Sequence, residues 1–207
     1  MKNAVTLLIY AGGRATRMGG KNKALVPFLG RPMVEWVRER LSKCVSEVLL
    51  SANRDRETFE KMGFVVCADT MDGYPGPLAG LLAVAERGLL KTPWVLTAPC
   101  DAPMVPETLL ETLWTAAEED GFEHAAYTVV AEGYPQNAFA LILSEALSGI
   151  RPFLLSGERK LGAWLKGVGQ KKVFMGNYSG NFKNLNAFEE ISSAEAEEIS
   201  KNFQKDP

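Results

Sequence analysis

The segment LIYAGGRATRMGGKNKAL, residues 8–25, joins a short apolar stretch to a loop with four glycines and four cationic side chains, Arg14, Arg17, Lys21 and Lys23. Glycine lets a backbone curl with its N–H groups facing a ligand, and no Cβ blocks a close approach. Arginine and lysine add charge that binds phosphate oxygens. Because a plain strand-to-helix turn needs only about 2–6 residues, this longer loop predicts a site for several phosphates.

Two common phosphate-binding loops do not fit this segment. A Walker loop requires Gly-Lys-Ser/Thr with another glycine five positions earlier, but Lys21 is followed by Asn22 and Ala15 takes the position of the first glycine. A dinucleotide fingerprint requires Gly-x-Gly-x-x-Gly, and no Gly-x-Gly occurs between Ile9 and Lys23. The spacing therefore excludes both patterns.

Length and composition are those of an ordinary globular protein. The 207 residues suit one domain, with 46% apolar and 23% charged residues. A net charge of −2 argues against nucleic acid or an anionic membrane as a partner. No apolar run approaches about 20 residues and no signal segment opens the chain, which predicts a cytoplasmic protein. The three scattered cysteines predict neither a disulfide nor a zinc framework.

Apolar segments alternate with amphipathic ones through the first half of the chain. Strands are predicted at 5–10, 47–52, 64–68 and 94–98, and helices at 32–44, 55–62, 77–88 and 106–119. This alternation predicts an α/β fold in three layers, with helices on both faces of a mostly parallel, Rossmann-like sheet. The polar residues that follow the strands, Gly12, Asn53, Asp69 and Asp101, would then lie at one edge, where such sheets bind ligands.

The second half of the chain is less regular. Strands are predicted at 124–130, 137–143 and 171–175, helices at 147–155 and 160–166, and a final helix that breaks near Ser192-Ser193. We expect one domain, with a nucleotide-binding half at about 1–120, a substrate-binding half at about 121–195 and a frayed tail at 200–207. His124, the single histidine, is predicted to have a structural or surface role.

Asp101 lies between two prolines directly after the fourth predicted strand. A rigid carboxylate of this kind suits Mg²⁺, which takes one or two carboxylates together with phosphate oxygens and water. The alternative is a turn or N-cap residue for the following helix.

Asp69 precedes the stiff Tyr74-Pro75-Gly76-Pro77 loop. One interpretation is that this loop leaves room for the flat ring of a ligand. The alternative is that the loop is a turn that only starts the following helix.

Taken in order, Tyr10-Ala11-Gly12-Gly13, Arg17-Met18-Gly19 and Lys23 resemble the signature of the nucleotidyltransferases that activate small phosphorylated compounds. Within that superfamily the chain is most similar to the molybdenum cofactor guanylyltransferases, from about residue 5 to residue 191. The stretch Asp69-(four)-Tyr74-Pro75-Gly76-Pro77-Leu78-Ala79-Gly80 is similar to the guanine and ribose loop of that family, and Pro99-Cys100-Asp101 to its metal-binding motif.

The resemblance implies an Mg²⁺-dependent transfer of GMP from GTP to the terminal phosphate of molybdopterin, with release of pyrophosphate. It implies catalytic roles for Arg17, Lys23 and Asp101, with Asp101 as the metal ligand, and transient contact with other molybdenum cofactor proteins. The implied GTP-binding residues are Tyr10, Ala11, Gly12, Gly13, Lys23, Asn53, Asp69, Gly76, Pro77, Leu78, Gly80 and Asp101. The implied pterin contacts are Arg159, Asn184 and Asn186.

The sequence departs from the family pattern in three places. Tyr10 stands where leucine is usual, Asn22 replaces an aspartate beside the loop lysine, and Ala187-Phe188 replaces Thr-Pro before the last helix. Three alternatives stay open on the sequence. The chain could transfer CMP to the same pterin, could transfer a nucleotide to a sugar or polyol phosphate, or could bind nucleotides without catalysis.

Overall fold

The computed structural model describes residues 4–12, 22–71, 73, 76–176 and 181–203. The described strands are β1 (Val5–Tyr10), β2 (Pro27–Phe28), β3 (Arg31–Pro32), β4 (Glu47–Ser51), β5 (Val65–Cys67), β6 (Trp94–Pro99), β7 (Ala126–Ala131), β8 (Tyr134–Leu143) and β9 (Gln170–Phe174). The α-helices are α1 (Met33–Leu41), α2 (Arg56–Lys61), α3 (Pro77–Glu86), α4 (Leu109–Glu119), α5 (Ile150–Leu155), α6 (Leu161–Gly167) and α7 (Phe188–Phe203). Short 3₁₀ helices span Lys23–Leu25, Ser42–Cys44 and Ser144–Gly149.

Seven strands form one sheet in the order β5-β4-β1-β6-β8-β7-β9, while β2 and β3 pair as a separate hairpin. Pairing is parallel except at β8, which is antiparallel to both β6 and β7. Strands from both halves of the chain therefore share a single sheet. The prediction of a mostly parallel sheet is confirmed.

Helices cover both faces of this sheet because alternate strand residues point to opposite sides. Val5, Leu7 and Ile9 of β1 pack with the helix residues of α1 and α4 in one buried cluster. Leu8 and Tyr10 pack with α3, α5 and α6 in another. Every residue of β1 is buried, as expected for a central parallel strand. The three-layer prediction is confirmed.

Several element boundaries differ from those predicted. Helix α4 begins at Leu109 rather than at 106, and the segment predicted as a helix at 147–155 begins as a 3₁₀ helix. Strand β8 begins at Tyr134, three residues before the predicted start. These shifts are of the size expected at element ends, where local signals are weakest.

The prediction that the final helix breaks near Ser192-Ser193 is wrong, since α7 is continuous from Phe188 to Phe203. Both serines are exposed, and serine costs a helix only a fraction of a kcal/mol. Ile191 and Ala194 on either side are buried in a third apolar cluster, which stabilises the helix. The helix enters the 200–207 segment predicted to fray, and residues 204–207 lie outside the described range.

None of the described helices combines the length and the apolar character that crossing a membrane requires.

Candidate active site

A cleft of about 300 Å³ opens at the carboxyl ends of the central strands β1 and β6. Strands β4 and β5 lie on one side of β1, and β6 lies on its other side. The direction in which the chain crosses from strand to strand therefore reverses here. The backbone at this edge is held by hydrogen bonds from Ala11 N–H to the Ser51 carbonyl (2.8 Å) and from Cys100 N–H to the Tyr10 carbonyl (3.0 Å). Ligands of open α/β sheets bind at such a reversal point.

Lys23 and Asp101 form an ion pair in this cleft. The Lys23 Nζ donates to Asp101 Oδ2, and the two side chains are only 19% and 12% exposed. Asp101 lies two residues after Pro99, the last residue of β6, and its carbonyl accepts from the Leu185 N–H at 2.8 Å, which fixes its backbone. An ion pair screened from solvent in this way interacts more strongly than one on an open surface.

Asn22 fixes the backbone that carries Lys23. Its Oδ1 accepts from the Ala24 N–H at 3.2 Å, which caps the 3₁₀ helix Lys23–Leu25, and its Nδ2 donates to Asp55 Oδ2 at 2.8 Å. Asparagine is one of the preferred residues for capping a helix start. The departure from the family pattern at this position therefore gives Lys23 a defined local anchor.

The start of α7 also reaches Lys23, because the Lys23 Nζ donates to Asn186 Oδ1 at 2.6 Å. The Asn186 Nδ2 donates to the Asn184 carbonyl at 2.9 Å, and its backbone N–H donates to Glu190. Glu190 also accepts from the Ala187 N–H at 3.2 Å, which is the glutamate half of a capping box. The helix start thus keeps a cap although alanine replaces threonine at 187.

Asp69 lines the cleft and is bracketed by Asn53. Asn53 Nδ2 donates to Asp69 Oδ2 at 2.7 Å, and the Asp69 backbone N–H donates to Asn53 Oδ1 at 2.9 Å. Partial burial raises the pKa of the Asp69 carboxyl, while the hydrogen bond from Asn53 opposes that rise. Asn53 is thus placed against Asp69, and Asp69 is the member of this pair that lines the cleft.

Four predicted nucleotide contacts lie at the start of α3, and they divide into two groups. Gly76, with φ of 128°, and Pro77 at the first turn line the cleft. Leu78 is only 2% exposed and packs in the core. Gly80 faces β4, where a Cβ would lie 2.4 Å from Ser51 Oγ and 2.9 Å from Ser51 Cβ. Gly80 therefore sets how closely the helix approaches the sheet.

Tyr10, the aromatic departure from the family pattern, forms part of the cleft wall. It points toward α3, packs with that helix's core cluster and is 9% exposed. Burial raises the pKa of the Tyr10 phenol, and its hydroxyl oxygen is buried with no hydrogen-bond partner among the described residues. The side chain therefore stays neutral and presents an apolar ring.

Two of the three predicted pterin contacts, Asn184 and Asn186, are joined by a hydrogen bond, whereas Arg159 contacts a different segment. Asn184 lines the cleft, Asn186 contacts Lys23, and the Arg159 Nη1 donates to the Gly73 carbonyl at 2.9 Å. Gly73 belongs to the segment that resembles the base loop. Arg159 therefore connects the second half of the chain to the loop on which a base is predicted to lie.

Two predicted site residues, Gly13 and the catalytic candidate Arg17, lie outside the described residues, as do Tyr74 and Pro75. Ala11 and Gly12 line the cleft as expected.

Five residues that line the cleft were not predicted from the sequence as ligand-facing positions. They are Asn22, Ser51, Pro99, Cys100 and Ala138. Four of them lie beside predicted site residues or at predicted strand ends. Ala138 had no signal in the sequence, and it lies in the part of β8 where the register with β7 shifts after Thr128. Cys100 is buried in the core, and burial and the neighbouring Asp101 raise the pKa of its thiol.

Among the described residues, no three His, Cys, Asp or Glu side chains converge closely enough to hold a metal ion. Asp101 is a single carboxylate beside a cleft. That donor set fits an ion such as Mg²⁺, which takes most of its ligands from phosphate and water.

Comparison with known proteins places this site in a family. The family model described as a MobA-like NTP transferase domain matches residues 7–173. The molybdenum cofactor guanylyltransferase of Serratia proteamaculans is 36% identical over 191 residues, which cover 92% of this chain and 93% of that protein. The one from Cupriavidus taiwanensis is 36% identical over 198 residues, covering 94% and 98%.

A solved structure gives the same fold. Molybdopterin-guanine dinucleotide biosynthesis protein A from Archaeoglobus fulgidus superposes with a TM-score of 0.71 at 24% identity, covering 95% of this chain and 99% of that one. The predicted family resemblance is confirmed by these matches, and so is the prediction of an enzyme. The chain belongs to the molybdenum cofactor guanylyltransferase family, with a MobA-like NTP transferase domain, and is a nucleotidyltransferase.

Proposed function

We propose that the protein transfers GMP from GTP to the terminal phosphate of molybdopterin, in its free or molybdenum-loaded form. A phosphate oxygen of the acceptor forms a bond to the α-phosphorus of GTP, the bond from that phosphorus to the oxygen bridging the α- and β-phosphates breaks, and pyrophosphate leaves. The names of the relatives support the acceptor and the base. The single observation that carries the proposal is the Lys23–Asp101 pair in the cleft between β1 and β6.

This chemistry needs no general base. The second pKa of a phosphate monoester is about 6, so the attacking oxygen is already ionised at neutral pH. What the reaction requires is alignment of the two phosphates and stabilisation of the charge that develops on the triphosphate. Lys23 supplies a cation in the cleft for that charge, and we assign the same task to Arg17.

Asp101 is the residue that would hold Mg²⁺. The ion would supply charge neutralisation between phosphate oxygens when it is bound. Asp101 suits this role because its carboxylate is held at a strand end, beside the backbone of Ala11 and Gly12, where phosphates would be bound.

Guanine would lie between Asp69 and the Gly76–Pro77 turn, which line the cleft together. Guanine presents a donor edge, its N1–H and its exocyclic amine, and a carboxylate accepts from both. Cytosine and adenine do not offer that pair of donors. A polar site left unpaired by the wrong base rejects it strongly, by up to about 10⁴–10⁵ in favourable cases, so we expect GTP to be preferred over CTP and ATP.

The acceptor would approach from the side of Asn184, which lines the cleft near Lys23. We keep Arg159, whose Nη1 donates to the Gly73 carbonyl at 2.9 Å, as a candidate acceptor contact.

The test is transfer of label from [α-³²P]GTP to molybdopterin, measured together with pyrophosphate release and with CTP and ATP as competitors. Incorporation of the α-label with equimolar pyrophosphate supports the proposal. Equal use of CTP would assign the enzyme to cytidylyl transfer, and release of orthophosphate in place of pyrophosphate would overturn the reaction type.

A further inference from the structure

The Lys23 ammonium group has two acceptors among the described residues, Asp101 and Asn186. It donates to Asp101 Oδ2 and, at 2.6 Å, to Asn186 Oδ1. An ammonium group carries three N–H donors, so these contacts leave a third for a ligand in the cleft. The two acceptors differ in charge, and this difference gives them different roles.

Asp101 is a carboxylate, so a cation that it binds competes with Lys23 for the same oxygen. Asn186 is neutral, and its amide oxygen orients the ammonium group without cancelling the charge. A lysine side chain has a flexible four-carbon stem, so a lysine that loses one partner needs another to stay in place. Asn186 is that second partner.

The amide of Asn186 is itself held in one orientation. Its Nδ2 donates to the Asn184 carbonyl at 2.9 Å, which turns its Oδ1 toward Lys23. Its backbone N–H donates to Glu190 in the first turn of α7. The α7 start is anchored in turn by the buried side chains of Leu185 and Ile191.

We propose that Asn186 is a positioning residue, which holds the Lys23 ammonium group for the nucleotide triphosphate rather than contacting the pterin. This inference rests on the proposed function in that it assumes a triphosphate in the cleft. It makes the beginning of α7 part of the phosphate site, although Asn186 follows Lys23 by 163 positions in the chain.

The decisive experiment measures binding without any acceptor. Calorimetry with Mg²⁺-tripolyphosphate and with Mg²⁺-GTP compares the wild type with Asn186→Leu, Lys23→Met and the double variant. We expect Asn186→Leu to weaken binding of both probes by about 10- to 100-fold, the effect of losing a hydrogen bond to a charged group. In the Lys23→Met background the same change should cost less than about 2-fold, because a residue that acts through another is not additive with it.

Steady-state kinetics provide a second readout. Asn186→Leu should lower kcat/KM for GTP and leave the KM for molybdopterin within about 2-fold, whereas a pterin contact would do the reverse. The matched control is Glu195→Gln on α7, because the Glu195 carboxylate accepts from the Leu29 N–H at 2.6 Å and has no hydrogen bond to Lys23 among the described contacts. Glu195→Gln should leave tripolyphosphate affinity unchanged.

Additive effects of Asn186→Leu and Lys23→Met, or unchanged binding of both probes by Asn186→Leu, would overturn the inference while leaving the proposed function intact. Failure of the wild type to bind GTP or tripolyphosphate would instead overturn the proposed function, and this inference with it.

Discussion

Lys23 and Asp101 lie 78 positions apart in the chain, yet their side chains form an ion pair where β1 and β6 end. Lys23 follows the loop after β1, and Asp101 lies two residues after the end of β6, so the pair spans the point at which the direction of the chain crossovers reverses. A nucleotide that enters the cleft meets a cation and a potential metal ligand at the same place. The first two predictions separate the roles of these residues.

Removing the cation should slow the reaction. We expect Lys23→Ala to lower kcat by about 10²–10³, the usual effect of removing one preorganised group that stabilises transition-state charge. The control is Lys43→Ala, because Lys43 also pairs with a carboxylate, that of Glu107 at 2.7 Å, but on the open surface. Single-turnover transfer from labelled GTP measures both. A wild-type rate constant in Lys23→Ala, with only protein yield reduced, would make the lysine structural.

Removing the carboxylate should abolish turnover. Asp101→Asn keeps the size of the side chain but loses the charge that Mg²⁺ requires, so we expect less than about a tenth of wild-type activity at any Mg²⁺ concentration. Glu107→Gln, which breaks the surface pair, should keep full activity. Mn²⁺ binding followed by electron paramagnetic resonance, with GTP present, gives a readout independent of turnover. Normal Mn²⁺ affinity in Asp101→Asn would contradict the metal assignment.

The strand ends in the first half of the chain, and the residues that follow them, were predictable from the sequence. The alternation of apolar and amphipathic segments there is a strong local signal. The loop glycines, Lys23, Asp69 and Asp101 follow from that signal together with the family pattern. The same reasoning did not predict that Leu78 lies in the core, because an apolar residue in a motif can either pack in the core or contact a ligand. Helix α3 buries that position against the sheet.

Contacts between distant segments were not predictable from the sequence. The Lys23–Asn186 hydrogen bond depends on how α7 returns to the front of the sheet, and the Arg159–Gly73 contact joins residues 86 positions apart. Asn186 and Arg159 each occupy an ordinary polar turn when the sequence is considered by itself. Their partners are decided by tertiary packing.

The close approach of α3 to β4 predicts a steric cost at Gly80. We expect Gly80→Ala to destabilise the protein by about 1–3 kcal/mol, the range for overpacking, despite the better helix propensity of alanine. Rotation of the Ser51 side chain can relieve the 2.4 Å contact with its Oγ, but the 2.9 Å contact with its Cβ stays. Urea unfolding measures the change, and Ser51→Gly should restore most of it. Equal destabilisation in the double variant would place the clash elsewhere.

Asp120 at the end of α4 joins three elements. It accepts from Tyr127 OH at 2.6 Å, and it contacts Lys171 Nζ at 3.0 Å and His124 Nδ1 at 2.9 Å. Burial opposes its ionisation, but the hydrogen bonds from Tyr127, Lys171 and His124 outweigh this and lower the pKa of Asp120 from 3.8 to about 2. The contact also gives His124 the structural role predicted for it.

A lowered carboxyl pKa stabilises the folded state above the unfolded-state value and loses that effect as the pH falls. The wild type should therefore be more stable than Asp120→Asn at neutral pH, and the difference should shrink between about pH 4 and pH 2. Thermal unfolding across that range tests this. A stability difference that does not change with pH would mean that the carboxylate is not the stabilising form.

Base recognition gives the last prediction, and it concerns Asp69. If this carboxylate accepts from guanine, Asp69→Ala should weaken GTP binding at least about 10-fold while leaving tripolyphosphate binding within about 2-fold, because tripolyphosphate has no base to donate to Asp69. Partial burial raises the pKa of Asp69. As the solution is acidified, GTP affinity should therefore begin to fall at a higher pH than it would if the aspartate had its ordinary pKa. Tripolyphosphate affinity should not show this pH dependence. Asn53→Ala removes the hydrogen bond that opposes the rise, so it should move the fall in GTP affinity to still higher pH. Normal GTP affinity in Asp69→Ala would leave the fold and the phosphate site as described and would show that guanine is recognised by other residues.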